Sequence, residues 1–183
     1  MAKHMTGMTL IEVLITVAIA GIILAWGLPN LADYVRTSRV VSATNELLGA
    51  LNAARSFAVS RSVKTVVCAS NNGTSCSGSN TNWKDGWLVF EDCNNDDTLD
   101  TGNVACADGS RPETIVRVGS YSSGSISVAN TNDKFNFAAT GLPSDAQTFT
   151  VKSTPVCKAT PSMARTISVS TGGRTLVDPA SCS

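Results

Sequence analysis

MTLIEVLITVAIAGIILAWGL, residues 8–28, carries a single charge, Glu12, in twenty-one residues. As a helix rising about 1.5 Å per residue it matches the thickness of a bilayer's hydrocarbon core, so it has the length and apolarity to span a membrane. A secretory signal has a shorter apolar run that ends at a small-residue cleavage site. Here the run continues through Trp26, Gly27, Leu28 and Pro29 into a helical pattern, which predicts that the segment is retained. Glu12 is the odd residue, because an acidic side chain inside such a stretch costs on the order of 2.5–3.5 kcal/mol unless something pairs with it. The segment holds no Lys or Arg. The simplest partners are a cation of another chain or a free amino terminus made by proteolysis, and the alternative is a plain signal anchor whose Glu12 reaches the interface.

Outward from this segment, residues 29–62 read as a continuation of the same helix. Leu47, Leu48, Leu51, Ala54 and Ala58 form an apolar stripe, and Asn45, Glu46, Arg55 and Arg61 occupy other faces. A half-buried helix needs a sheet to lie on. After Val63 the spacing changes to short β-rich runs split by Gly, Asn, Ser and Asp, at 63–69, 86–91, 114–118, 125–129, 134–138, 148–152, 165–170 and 174–177. Their short connections leave no room for crossover helices, so the strands are read as antiparallel. The expected fold class is α+β: a long helix, membrane-spanning in its first half, packed on an antiparallel β-sheet head stapled by disulfides.

The 183 residues suffice for one ordinary domain once an anchor is set aside. Lys+Arg and Asp+Glu balance at 14 each, so no overall positive field marks a nucleic-acid or membrane-surface binder. Six cysteines, all after the apolar segment, suit disulfides in an oxidising compartment. The shortest spans favour Cys68 with Cys76, Cys93 with Cys106, and Cys157 with Cys182. Zinc fits poorly, since there is no CxxC pair and the one histidine, His4, precedes the apolar run. Nor is there a GxSxG, a phosphate-cradling glycine loop or a paired carboxylate outside one acidic loop, so nothing marks an active site and no cofactor is expected.

Gly7-Met8-Thr9-Leu10-Ile11-Glu12-Val13, after a stretch containing Lys3, resembles the prepilin peptidase site of type IV pilins and type II secretion pseudopilins. The resemblance implies a leader at 1–7, cleavage between Gly7 and Met8, N-methylation of Met8, and an assembly role for Glu12 against the amino terminus of a neighbouring subunit. Met8 stands where that family usually has Phe, and Pro29 falls where many pilins carry a helix-kinking proline. Residues 82–92, NWKDGWLVFED, resemble the middle of the GspH/FimT family at Trp83, Gly86, Trp87, Val89 and Phe90, and residues 45–61, NELLGALNAARSFAVSR, extend the likeness. The two tryptophans are expected to anchor a strand on the helix. Four segments follow: 1–7 leader, 8–28 transmembrane and assembly helix, 29–62 its amphipathic continuation, 63–183 the head.

Two further constellations stand out. DCNNDDTLD, residues 92–100, places Asp92, Asn94, Asp96, Thr98 and Asp100 at alternating positions, as a calcium loop of the EF-hand kind does. The match is partial: Asp97 sits where the turn wants Gly, Asn103 where a bidentate Glu belongs, and a Cys93–Cys106 bridge would hold the loop without metal. Six acidic and no basic side chains lie between 91 and 108. Residues 147–183 are polarised oppositely, with Lys152, Lys158, Arg165 and Arg174 against Asp178. Gly173-Arg174 resembles the start of the Gly-Arg-x-Arg motif of FimT-type pilins, some of which bind DNA, although Leu176 replaces the second arginine.

The resemblance implies a minor pilin made at the inner membrane, head in the periplasm, and carried to a cell-surface pilus, where it joins other minor pilins and the major pilin in a tip complex that primes assembly. Its partners are then those pilins, the membrane before assembly and the prepilin peptidase. The alternatives are a DNA-binding pilin for natural transformation and a GspH-like pseudopilin of a type II secretion system.

Overall fold

The computed structural model describes residues 8–78, 83–102, 112–121, 124–159 and 162–182, without the side chains of Trp26, Leu28, Pro29 and Asn30. The expected leader with Gly7, the Cys106 half of the second disulfide, and the Pro29 side chain lie outside these. Helix α1, Leu10–Arg61, is followed by eight strands: β1 Lys64–Ala69, β2 Trp87–Asp92, β3 Ile115–Gly119, β4 Ile126–Ala129, β5 Lys134–Phe137, β6 Gln147–Ser153, β7 Ala164–Val169 and β8 Thr175–Pro179. The chain divides into two compact units within α1, residues 1–35 and 36–183.

In the first unit, α1 starts with Thr9 as its cap: the Glu12 N–H lies 3.1 Å from the Thr9 carbonyl and 3.4 Å from Thr9 Oγ1. Thr9-Leu10-Ile11-Glu12 has the spacing of a capping box, a start signal inside the apolar run itself. No helix among the described residues is long and apolar enough to cross a membrane. The uninterrupted described run covers 10–25, about 24 Å of helix, and the Trp26 and Leu28 side chains that would lengthen it are outside the described residues.

In the second unit, Val40, Ala43, Leu47, Ala50, Leu51, Ala54 and Ala58 are buried along one face of α1. Their spacing of three and four residues makes the stripe, and its alanines bring the helix backbone close to what it covers. Ser62 ends the helix with φ 53°, and the Val63 N–H reaches the Ala58 carbonyl at 3.2 Å, closing the last turn as a Schellman cap.

The strands form two four-stranded sheets, antiparallel as the sequence reading expected, which had not divided them between sheets. The division arises because β5 pairs with β1 while β4 pairs with β6, giving the orders β3-β2-β1-β5 and β4-β6-β7-β8. Both sheets share one core with the helix stripe. Val67, Trp87, Val89, Phe135 and Phe137 enter from the first sheet, and Ile126, Val128, Phe149, Val151, Ile167 and Val169 from the second. Trp83 joins them: its ring meets Phe149 edge-on at 5.1 Å and its Nε1–H donates to the Asn132 carbonyl at 2.8 Å. Both Trp83 and Trp87 are fully buried in the cluster that holds the helix stripe.

Strands β1 and β2 do not alternate, because both of their faces are covered. Val66, Cys68, Leu88 and Phe90 form a second cluster on the far face, with Cys76 and Leu99 from two loops packed against it. Cys68 and Cys76 are bonded, as are Cys157 and Cys182. Cys93 is disulfide-bonded, and its expected partner Cys106 lies outside the described residues.

The Gly86 backbone has φ +145°, and an added Cβ would lie 2.4 Å from the Gly119 carbonyl oxygen. Gly86→Ala is expected to lower stability by about 1–3 kcal/mol, read as a smaller urea midpoint with an unchanged slope. Ser62→Gly, which relieves a left-handed residue, should raise stability by about 0.5–1 kcal/mol in the same measurement.

Candidate functional site

Residues 10–24 of α1 are apolar on every side. Leu10, Ile11, Val13, Leu14, Ile15, Val17, Ile19, Ile22, Ile23 and Leu24 are all exposed within this unit, and at 100° per residue they go round the whole helix. Such a helix is stable only when surrounded by other apolar groups. Glu12 is the sole charge on this surface, in the first turn of α1, where the helix dipole favours an anion. Met8, the residue after the expected cleavage point, is also exposed.

The acidic loop after β2 is organised from within. Asp92 is buried at the end of β2; its Oδ1 accepts the Asn95 N–H at 2.8 Å and its Oδ2 the Asp97 N–H at 3.0 Å. Lys64, opposite Asp92 in the β1–β2 register, places Nζ 2.9 Å from Asp92 Oδ2 and 2.9 Å from Asp97 Oδ1. Lys134 on β5 donates to the Asp97 carbonyl at 2.6 Å, and Asn136 to Asp97 Oδ1 at 3.0 Å. Glu113 accepts the Cys93 N–H at 2.7 Å and the Asp100 N–H at 2.9 Å.

Asn94, Asp96 and Asp100 bond one another through the Asn94 amide. The calcium reading needed Asp92, Asn94, Asp96 and Asp100 to converge. Instead Asp92 turns inward to a lysine, and among the described residues no group of three or more His, Cys, Asp or Glu side chains is placed to hold a metal. The electrostatics follow this wiring. Burial pulls the Lys64 pKa down, but its bonds to Asp97 and Asp92 outweigh that and leave it raised. The Thr98 N–H holds the Asp96 carboxyl below its usual range, and burial pushes Glu113 up against the backbone donors that favour its charged form.

The four cations of the C-terminal stretch do not share a site. Lys152 on β6 and Lys158 in the β6–β7 loop lie toward one end of the second sheet. Arg165 pairs with Val151, on the face whose neighbours Ile167 and Val169 point to the core, and its Nε is buried. Lys152 pairs with Ala164, one residue on, and so faces the other way.

Arg174 is in the β7–β8 turn, the opposite end of β7 from Arg165. That turn has a structural occupation of its own: Gly173, at φ +75°, gives its carbonyl to Arg55 Nη1 of α1 at 2.7 Å, and a Cβ there would lie 2.9 Å from the Arg55 guanidinium carbon. Arg55 therefore ties the helix to the turn. The sequence reading did not single it out, since only the sheet register reveals a partner 118 residues away. Clefts of about 130, 250 and 220 Å³ mark the head's surface, smaller than the roughly 300–1,000 Å³ usual for small-molecule sites.

Comparison with known proteins adds a family. Residues 43–173 match the family described as type II transport protein GspH, and residues 3–28 match the prokaryotic N-terminal methylation motif. No curated protein matches the chain. Among solved structures, the crystal structure of the type IV minor pilin FimU of Pseudomonas aeruginosa strain PAO1 is similar in fold. Its TM-score is 0.51 at 21% identity, over 78% of this chain and 90% of that one. Another crystal form of FimU gives 0.49 at 21% identity, over 75% and 91%.

Lys64→Met should cost about 3–5 kcal/mol, because it strands the buried Asp92 carboxylate. The sign with pH follows from the raised Lys64 pKa: its contribution is present in full below about pH 10.5 and is lost as pH rises through the higher folded value. Melting temperature measured between neutral and strongly alkaline pH should show this loss in the parent chain, and the Lys64→Met chain should lack that component.

Proposed function

The chain belongs to the GspH family and carries the prokaryotic N-terminal methylation motif, and from that premise we propose that it is a minor pilin of a bacterial type IV pilus. The observation that carries the reading is the helix of residues 10–24, apolar on every side with Glu12 as its one charge. In this account residues 8–28 hold the chain in the inner membrane with the head in the periplasm, where disulfides form. Prepilin peptidase cuts between Gly7 and Met8 and the new amine is N-methylated. The helix then leaves lipid for another apolar environment, the core of a bundle of like helices.

Glu12 gives that transfer its direction. Alone in hydrocarbon it is costly, and beside the positive amino terminus of a neighbouring subunit's Met8 its charge is compensated at low dielectric, so pairing favours the assembled state. Assembly is then the activity of the chain. With a head built for packing, it joins other minor pilins in a tip complex that primes addition of the major pilin. The second reading, a GspH-like pseudopilin of a type II secretion system, is favoured by the description of the matched family. It uses the same helix and the same Glu12 in a different filament. The four dispersed cations give the DNA-binding alternative no common surface.

The test expresses the full chain with and without a prepilin peptidase and follows it into sheared filaments. Mass spectrometry should find an N-methylated Met8 terminus only with the peptidase. Glu12→Leu should keep membrane insertion and cleavage while filament incorporation falls by about tenfold or more, the effect of roughly 1.4 kcal/mol. A chain left uncut by an active peptidase, or a Glu12→Leu chain incorporated as well as its parent, would contradict the proposal.

A further inference from the structure

The chain has one Asn-Gly step, Asn72-Gly73, in the loop that the Cys68–Cys76 bond closes after β1. The fold asks for both residues. Gly73 has φ +71°, and an added Cβ would lie 2.9 Å from Val118 Cγ1 on β3, so glycine is the residue that fits there. Asn72 Oδ1 accepts the Thr74 N–H at 2.9 Å and the Ser75 N–H at 3.0 Å, and Asn72 Nδ2 donates to Ser75 Oγ at 2.9 Å. The turn is therefore built from the pair of residues that is chemically least durable in a polypeptide, because glycine puts no side chain in the way of attack by its own nitrogen.

Asn72 is exposed, so water and hydroxide reach it. Ser70, two residues before it, is buried. Its Oγ accepts the Gly73 N–H at 3.0 Å and donates its own proton to the Ser75 carbonyl at 2.7 Å, the nearer of two acceptors, with Asn72 Oδ1 at 3.3 Å. The nitrogen that would attack and the carboxamide that would be attacked are thus both held by neighbours in the same loop.

We propose that Asn72 is a site of spontaneous covalent modification, deamidation through a succinimide, and that Ser70 sets its rate by holding the Gly73 nitrogen. In the reaction a base such as hydroxide removes the Gly73 N–H proton, the nitrogen forms a bond to Asn72 Cγ, and the Cγ–Nδ2 bond breaks with release of ammonia. Water then opens the ring at one of its two carbonyls. Cleavage of the nitrogen from Cγ restores the ordinary main chain with a carboxylate in place of the amide. Cleavage from the main-chain carbonyl leaves an isoaspartyl linkage, in which the main chain runs through Cβ and Cγ. One water enters for each ammonia lost, and nothing is oxidised or reduced.

Three features of the loop slow the first step. The Gly73 proton is engaged by Ser70 Oγ, a neutral hydroxyl too weak a base to take it. The Asn72 carboxamide cannot swing toward the Gly73 nitrogen without breaking its bonds to Thr74 and Ser75. The loop ends are pinned, with the Cys68 and Cys76 Cα atoms 5.6 Å apart and the Ser77 N–H donating to the Ala69 carbonyl at 2.8 Å. The two products differ in consequence. A carboxylate on the ordinary main chain still accepts the Thr74 and Ser75 N–H groups, whereas the isoaspartyl linkage has no side chain to do so. Cys76 of this loop packs on Val66, Cys68, Leu88 and Phe90, so the isoaspartyl form loosens the cover of that cluster.

The test incubates the purified full chain, the same chain unfolded in urea with its disulfides reduced, and a linear peptide of residues 67–77 in neutral and mildly alkaline buffer. Mass spectrometry follows amide-to-acid conversion at Asn72 and separates the isoaspartyl product. The peptide and the unfolded chain should convert at a common rate that rises with pH, and the folded chain at least about tenfold more slowly, since several hydrogen bonds must open together. Ser70→Ala should speed conversion in the folded chain about threefold or more, the effect of one hydrogen bond, and Ser70→Thr, which keeps the hydroxyl, should convert at the parent rate. Should Ser70→Ala fail to fold, the comparison of the folded parent with its own unfolded chain still decides. A folded chain that converts as fast as the peptide, or a folded Ser70→Ala chain that converts at the parent rate, would overturn the role of Ser70. Conversion confined to the unfolded chain, with none in the folded parent or the Ser70→Ala chain, would overturn the site itself.

Discussion

An apolar helix with no bare side has to be covered all the way round, and this requirement governs the chain. Residues 10–24 present exposed Leu, Ile and Val on every face, while from Val40 to Ala58 the same helix buries only one stripe. The two halves obey one rule with different coverings. In the second unit the covering is intramolecular: two sheets and two tryptophans close over the stripe. In the first unit the exposed apolar side chains need a covering of other apolar groups, which the proposed function assigns to lipid before assembly and to other helices after it. Glu12 distinguishes between those two environments, since a neighbouring helix can bring it a charge and hydrocarbon cannot.

The head has other constraints that follow from its covering role. Because β1 and β2 are buried on both faces, a loop has to close over the outer one, and the Cys68–Cys76 bond and Leu99 are part of that lid. The acidic loop beside it is kept in place by Lys64 and Lys134 from two other strands, which turns a run of like charges into a compensated structure. Arg55 and Gly173 link the helix to the far turn of the second sheet. Each of these contacts fixes an element against the helix or its core.

What was legible in the sequence was local. The stripe of Leu47, Leu51, Ala54 and Ala58 follows from spacing, and the eight strand runs fall within two residues of β1 to β8, because β-rich segments cut by Gly, Asn and Ser leave few alternatives. The tryptophans read correctly as core for a related reason: so large an apolar ring beside a strand has few other places to go. What was not legible was pairing. The division of the antiparallel strands between two sheets could not be read, because nothing local tells β4 to leave β5 for β6. The acidic loop looked open to a metal because its compensating lysines are 28 and 37 residues distant from Asp92 and Asp97 in sequence. The C-terminal cations looked like one patch because a count along the chain ignores that Arg165 and Lys152 point to opposite faces. The Thr9-Leu10-Ile11-Glu12 cap was available to inspection and hidden by the apolar run around it.

The central claim is that the helix around Glu12 exchanges lipid for other helices. A photoreactive residue introduced at Ile19, exposed on α1 seven positions beyond Glu12, reports its surroundings directly. In cells that assemble filaments, crosslinking of the filament fraction should yield adducts to other subunits' helices, and in cells unable to assemble them, adducts to lipid. Lipid adducts alone in the filament fraction would contradict the account.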